Sequence, residues 1–136
     1  MRELFVGLDA GTHTGVAVWD KTNERLITVE TMTITQAMLY VRGLAEANEV
    51  VVFLEDARER KWFGCAGREK LQGAGSVKRD CSIWETFCEE QGIEMVTVAP
   101  KNNHTKLTSE QFRRRTGWEG RSSEHSRDAA MLVYGR

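Results

Sequence analysis

The sequence has few of the residues that mark disulfide-rich, zinc-binding or membrane-spanning proteins. It contains three cysteines, none of them in a Cys-x-x-Cys pair, and a single proline. An odd number of cysteines without that spacing argues against a disulfide framework and against a zinc site. There is no run of about 18 apolar residues that could cross a membrane, and no apolar signal segment at the N-terminus. These absences favour a globular protein of the reducing cytoplasm without a membrane partner.

Charge is distributed in blocks, although the formal net charge is only −1. Residues 58–79 carry seven Lys or Arg and two acids, and residues 101–127 carry seven and three. The other segments up to residue 100 are mainly acidic. Because charges are screened beyond roughly 8–10 Å, a local basic surface matters more to a polyanion than the net charge does. Both basic segments are therefore candidate nucleic-acid surfaces, although solvated loops and helix faces have the same composition.

The spacing of apolar residues predicts alternating strands and helices. Near-continuous apolar runs indicate buried strands, and helical spacing after a Ser or Thr indicates a capped helix. We predict strands at 3–9, 15–19, 24–34, 50–54 and 93–99, and helices from Thr35, over about 69–90, over about 108–115 and from Ser122 or Ser123. This order predicts an α/β fold, with a five-stranded mixed sheet that opens with three antiparallel strands and carries helices on both faces. We expect one domain over residues 1–136, with Cys81 and Cys88 packed in its core.

One acidic residue, Asp9, interrupts an apolar strand in the stretch VGLDAGTHTGVAVWD. Burying a lone ionised carboxylate costs several kcal/mol unless it is paired or bound to a cation. The fourth predicted strand also ends on an acid, Glu55. Ligand sites of open α/β sheets lie beyond the carboxyl ends of the strands. The two acids would therefore meet there if the first and fourth strands are neighbours.

The last predicted helix, within SSEHSRDAAMLVYG, offers further ligands. His125 and Asp128 are three residues apart and share one helical face, and Glu124 lies beside them. Converging carboxylates repel one another unless a cation lies among them, and an oxygen-rich set with one imidazole favours Mg²⁺ or Mn²⁺. Pairs of such ions, about 3.5–4 Å apart, promote phosphodiester cleavage. The alternatives are that the acids cap a turn, end a strand or face solvent.

The segments FVGLDAGTHTGVAV, VVFLE and EHSRDAAMLV together resemble the RuvC-like Holliday junction resolvases of the RNase H-like superfamily. The predicted order of strands and helices is also that of the superfamily. The resemblance implies a homodimer that binds a four-way DNA junction in the cytoplasm, which is the host's cytoplasm for a phage-encoded form. It also implies paired nicks made by hydrolysis with Mg²⁺ or Mn²⁺, with two ions in each active site.

The resemblance further implies roles for individual residues. The matching metal ligands are Asp9, Glu55, His125 and Asp128. Glu124 is the alternative to His125 as the fourth ligand. A lysine in the loop before the last helices assists the family's chemistry; Lys106 matches it best, and Lys101 is the second candidate. In the family, the helix after the fourth strand contributes to the dimer interface, which corresponds here to the stretch Gly73–Trp84.

The first basic segment contains aromatic residues beside basic ones, a combination that can stack on unpaired nucleobases. The family commonly carries an aromatic wedge shortly after the glutamate of the fourth strand, whereas this chain has Arg58 there. Trp62 and Phe63 follow a few residues later and could take over that role, or anchor the loop locally. The predicted DNA-binding residues are Arg58, Arg60, Lys61, Trp62, Phe63, Arg68, Lys70, Lys78, Arg79, Lys101, Lys106, Arg113 and Arg114.

Other functions fit parts of the sequence. The stretch DAGT resembles the first phosphate loop of the sugar-kinase, actin and chaperone ATPases, but that site needs a second, similar domain. YqgF-type nucleases, which would act on RNA, have a similar first strand, but their fourth strand ends in a turn with glycine and proline rather than at an acid such as Glu55. A ribonuclease H would cut RNA in hybrids, through 2′-OH contacts that the sequence does not locate. A non-enzymatic binder of branched DNA has no need of three converging acids.

Overall fold

The computed structural model describes the main chain of residues 1–55, 68–99 and 106–136, and the side chains of the same residues apart from 68–77. The elements in chain order are β1 (Glu3–Asp9), β2 (His13–Asp20), β3 (Arg25–Thr33), α1 (Ile34–Ala47), β4 (Glu49–Glu55), α2 (Arg68–Gln91), β5 (Glu94–Val98), α3 (Ser109–Thr116) and α4 (Glu124–Val133). Their order is the predicted one. Across these ranges, no helix is long and apolar enough to cross a membrane.

The five strands form one mixed sheet in the order β3-β2-β1-β4-β5. Strands β1, β2 and β3 pair in antiparallel fashion, whereas β4 lies parallel to β1 and β5 lies parallel to β4. The predicted fold class is therefore confirmed. The neighbours β1 and β4 stand at the centre of the sheet, so that their carboxyl ends meet at the same edge.

Alternation of side chains along the central strands divides the core into two layers. Leu4, Val6 and Leu8 face one layer, where buried side chains of α1 and α2 cover the sheet. Phe5 of β1 and Phe53 of β4 face the other layer, together with buried residues of α3 and α4. Helices therefore lie on both faces, as predicted.

The two cysteines of α2 belong to the first of these layers. Cys81 and Cys88 are buried there beside Trp84, which confirms that they pack in the core. Burial raises the pKa of the Cys88 thiol to about 11. At neutral pH this sulfur is therefore a protonated, apolar packing group rather than a nucleophile.

Capping boxes fix the starts of three helices. Helix α1 begins after Thr33, not after Thr35 as the sequence predicts, because the Thr33 hydroxyl accepts the Gln36 N–H and the Gln36 side chain accepts the Thr33 N–H. Thr108 caps α3 in the same way. Ser123 is the N-cap of α4, and its hydroxyl accepts the N–H of Ser126. Since each satisfied cap contributes about 1 kcal/mol, the first turn of α4 has a fixed starting point.

Two glycines allow α4 to lie directly on the main chain of the sheet. A Cβ atom added at Gly7 of β1 would stand 2.1 Å from the carbonyl oxygen of Ala129, and one added at Gly15 of β2 would stand 2.1 Å from that of His125. A glycine inside a strand often marks such a close approach of two main chains. The contact at Gly15 sets the height of the first turn of α4 above the sheet.

Candidate active site

Asp9 and Glu55 lie side by side at the carboxyl edge of the sheet. Strands β1 and β4 are parallel and in register up to the pair Leu8 and Leu54, which directly precede the two acids. Side chains alternate between the two faces of a strand. Asp9 is therefore on the same face of the sheet as Phe5, and Glu55 is on the same face as Phe53. This is the face that α4 covers. The sequence predicts that the two acids meet if the first and fourth strands are neighbours, and β1 and β4 are neighbours in the sheet.

Helix α4 brings His125 and Asp128 to the same edge. Nδ1 of His125 lies 2.9 Å from Oδ2 of Asp9, and the side chains are 57% and 23% exposed. Because a carboxylate accepts hydrogen bonds, this contact assigns the proton to Nδ1. In the neutral imidazole, Nε2 then carries the lone pair, which is the form that ligates a metal or accepts a proton.

Burial and neighbouring carboxylates raise the pKa of Asp9 and of Asp128. Burial is the largest cause that raises the pKa of Asp9; the hydrogen bond to His125 opposes it, and the charge of Glu55 adds to it. The pKa of Asp128 is raised by burial first, and then by the charge of Asp9, with smaller contributions from Glu124 and Glu55. Asp9, Asp128 and Glu55 therefore belong to one electrostatic cluster, in which a nearby cation would favour the ionised carboxylates.

The chemistry of these donors fits a hard divalent cation. Three carboxylates and one imidazole are a set that suits Mg²⁺ or Mn²⁺. Across the described residues, no group of three or more His, Cys, Asp or Glu side chains stands close enough to hold an ion as it is arranged. The bond between His125 and Asp9 occupies one carboxylate oxygen, so binding an ion requires these side chains to turn toward a common point.

Lys106 lies beside the cluster and is bonded to Glu124. Its Nζ donates to Oε1 of Glu124 at 2.5 Å, and the pKa of Lys106 is raised by this hydrogen bond first and also by the charges of Asp128 and Asp9. In this arrangement Glu124 faces the lysine, while His125 faces Asp9. The structure therefore brings together Asp9, Glu55, His125, Asp128 and Lys106, with Glu124 at the rim of the site.

The predicted DNA-binding residues are only partly within the described ranges. Lys78 and Arg79 are exposed on α2, and Arg113 and Arg114 are exposed on α3, where Arg114 pairs with Glu110. For Arg68 and Lys70 the structure describes the helical main chain alone. The remaining predicted contacts, together with the predicted wedge and the second lysine candidate, lie outside the described residues: Arg58, Arg60, Lys61, Trp62, Phe63 and Lys101.

Sequence reasoning missed the residues that place the site. Gly7 and Gly15 let α4 approach, and Arg127 ties α4 to the segment beside Lys106 through a bond from Nε to the carbonyl oxygen of Leu107 at 2.8 Å. A glycine within an apolar strand is a sequence signal of such a close approach, and it could have identified Gly7 and Gly15. For Arg127 no local signal exists, because its partner lies 20 residues away along the chain.

Comparison with known proteins supports the fold. No family model matches the sequence, and no curated protein matches it. A solved structure of T. thermophilus RuvC in complex with Holliday junction substrate matches with a TM-score of 0.63 and 17% sequence identity. The match covers 96% of this chain and 89% of that chain. The protein therefore has a RuvC-like fold of the RNase H-like type.

Proposed function

We propose that the protein is a metal-dependent endonuclease that resolves four-way or branched DNA junctions by paired nicks. The observation that carries this proposal is the convergence of Asp9, Glu55 and Asp128 with His125 at the carboxyl edge of a RuvC-like sheet. The structural neighbour is bound to a Holliday junction substrate, which supports branched DNA as the ligand. A cluster of acids that could hold divalent ions, with an exposed lysine beside it, also suits phosphodiester hydrolysis.

In this proposal Asp9, Glu55, His125 and Asp128 hold Mg²⁺ or Mn²⁺, two ions in each site. When bound, such ions supply an activated water and stabilise the leaving oxygen. The residues of the chain supply the placement. Asp9 orients the imidazole of His125 through Nδ1, and Lys106 presents an ammonium group to the phosphate.

The DNA would lie along the carboxyl edge of the sheet, with the exposed basic side chains of α2 on one side of that edge and those of α3 on the other. Phosphate contacts from such side chains add affinity without reading sequence, which suits an enzyme that selects a DNA shape. We also propose a homodimer through α2. An apolar groove of about 390 Å³ between α1 and α2 supports it, since Met38, Ile83 and Phe87 line that groove and Ile83 is partly exposed. The buried thiols of α2 are consistent with the cytoplasm as the place of action.

In the test, the protein is incubated with each of four labelled substrates in the presence of Mg²⁺ or Mn²⁺. The substrates are a four-way junction, a flap, a duplex and an RNA–DNA hybrid. The proposal expects symmetric nicks in the junction and little cutting of the linear duplex. Preferential cutting of the RNA strand in the hybrid would contradict it and favour a ribonuclease. Omission of the divalent ion, or addition of excess EDTA, should abolish the nicks.

A further inference from the structure

Lys106 stands beside the acidic cluster but is bonded to an acid outside the proposed ligand set. Its Nζ donates to Glu124 at 2.5 Å, whereas its interactions with Asp128 and Asp9 are coulombic. The lysine and glutamate side chains are 70% and 54% exposed. An exposed ion pair contributes little to stability, so a role in folding does not account for the pairing.

The main chain next to Lys106 is attached to the same turn of α4. Arg127 donates from Nε to the carbonyl oxygen of Leu107 at 2.8 Å and from Nη1 to that of Ser122 at 3.0 Å. Glu124 and Arg127 are three residues apart and share a helical face. One turn of α4 thus holds both the side chain of Lys106 and the main chain that follows it.

We propose that Glu124 is a positioning residue that holds the ammonium group of Lys106 away from the carboxylates that bind the metal. The inference rests on the proposed function, because it takes Asp9 and Asp128 as metal ligands. It also assigns Glu124 a place beside the ligand set rather than in it.

The physical reason is competition between two kinds of cation. Apart from Glu124, the described negative charges that act on Lys106 are those of Asp128 and Asp9. An ammonium group bonded to their oxygens would occupy the sites that a divalent ion needs. With Glu124 present, Lys106 stays within electrostatic range of the site, where it can meet a phosphate oxygen, and the carboxylates remain available.

The test is a double-mutant cycle on Mn²⁺ binding, measured by titration calorimetry without DNA. The four proteins are the wild type, Glu124→Gln, Lys106→Met and the double variant. We expect Glu124→Gln to weaken binding about three- to tenfold, the range for a unit charge moved to partly exposed carboxylates. Lys106→Met alone should change the Mn²⁺ affinity less than about twofold. In the Glu124→Gln background, Lys106→Met should restore the wild-type affinity. The difference between its effects in the two backgrounds measures the coupling between the two side chains.

Each other outcome identifies a different error. Equal effects of Lys106→Met in both backgrounds would mean that two independent charges act on the metal, which overturns the inference. A double variant as weak as Glu124→Gln would make Glu124 itself a ligand, which also overturns it. A wild type that binds no Mn²⁺ would overturn the proposed function as well. Glu110→Gln is the matched control, since it breaks the exposed 2.6 Å ion pair with Arg114 on α3 and should leave Mn²⁺ affinity unchanged.

Discussion

The substitution Gly15→Ala tests how the sheet sets the height of α4. The added Cβ would lie 2.1 Å from the main-chain oxygen of His125 and 2.4 Å from its carbonyl carbon, and real Cβ contacts below 3.0 Å essentially do not occur. The first turn of α4 must therefore move by about 0.9 Å, the difference between 3.0 and 2.1 Å. Both atoms belong to the main chain, so no side-chain rotation relieves the contact. Overpacking of this kind costs about 1–3 kcal/mol.

That movement carries His125 and Asp128 away from Asp9. Misplacement of a catalytic group by about 1 Å can lower a rate by about 10²-fold, so we expect Gly15→Ala to lose most junction nicking and 1–3 kcal/mol of unfolding free energy in urea titrations, about the overpacking cost. Gly43→Ala is the matched control, because no atom of the described residues lies within 4 Å of a Cβ at that position of α1. It should raise stability by up to about 1 kcal/mol. A Gly15→Ala protein with wild-type stability and nicking would refute this account of the packing.

The remaining predictions concern titration and reactivity. Since the pKa of Asp9 is raised in the folded protein, ionisation of Asp9 opposes folding. The stability therefore falls as pH rises from the ordinary pKa of 3.8 through the pKa of Asp9 in the folded protein. Asp9→Asn should raise the Tm in EDTA at neutral pH and not below pH 3.8. The hydrogen bond from the Asn23 side chain is the main cause that lowers the pKa of Asp20, so the stabilisation by ionised Asp20 is present above 3.8 and lost as pH falls below that value. Asp20→Ala should therefore lower the Tm more at neutral pH than in acid. Buried Cys88, with its pKa raised to about 11, should be alkylated only in denaturant, as followed by mass spectrometry.

The acids of the candidate site could be predicted from the sequence because a charge in an apolar strand requires a partner. Asp9 drew attention for that reason, and Glu55 did so because it ends an apolar run. Whether β1 and β4 pair could not be determined locally, since strand pairing depends on tertiary packing. The structure supplies that pairing through the parallel register of the two strands.

The side-chain partners within the site were beyond sequence reasoning. The stretch from Glu124 to Asp128 offers two residues that could face the cluster, and helical geometry alone does not choose between Glu124 and His125. The choice follows from where α4 rests on Gly7 and Gly15. The glycines were visible as a signal of close approach, but nothing local in a strand says which helix approaches it.

The start of α1 also differs between the sequence prediction and the structure. Both Thr33 and Thr35 are good N-cap residues by type. The reciprocal bonds with Gln36 select Thr33. The sequence pattern of a threonine followed three residues later by glutamine was present and would have identified this start.

Junction cleavage and junction binding by Asp9→Asn, measured side by side, test whether the acidic cluster cuts DNA. The substitution removes the charge of the carboxylate that joins β1 to His125 while it keeps an oxygen acceptor, so we predict that Mg²⁺-dependent nicking is lost and that the affinity for the junction is retained. Glu94→Gln, an exposed acid of β5, is the control and should cut as the wild type does. Undiminished nicking by Asp9→Asn would contradict the assignment of the acidic cluster as the cutting site.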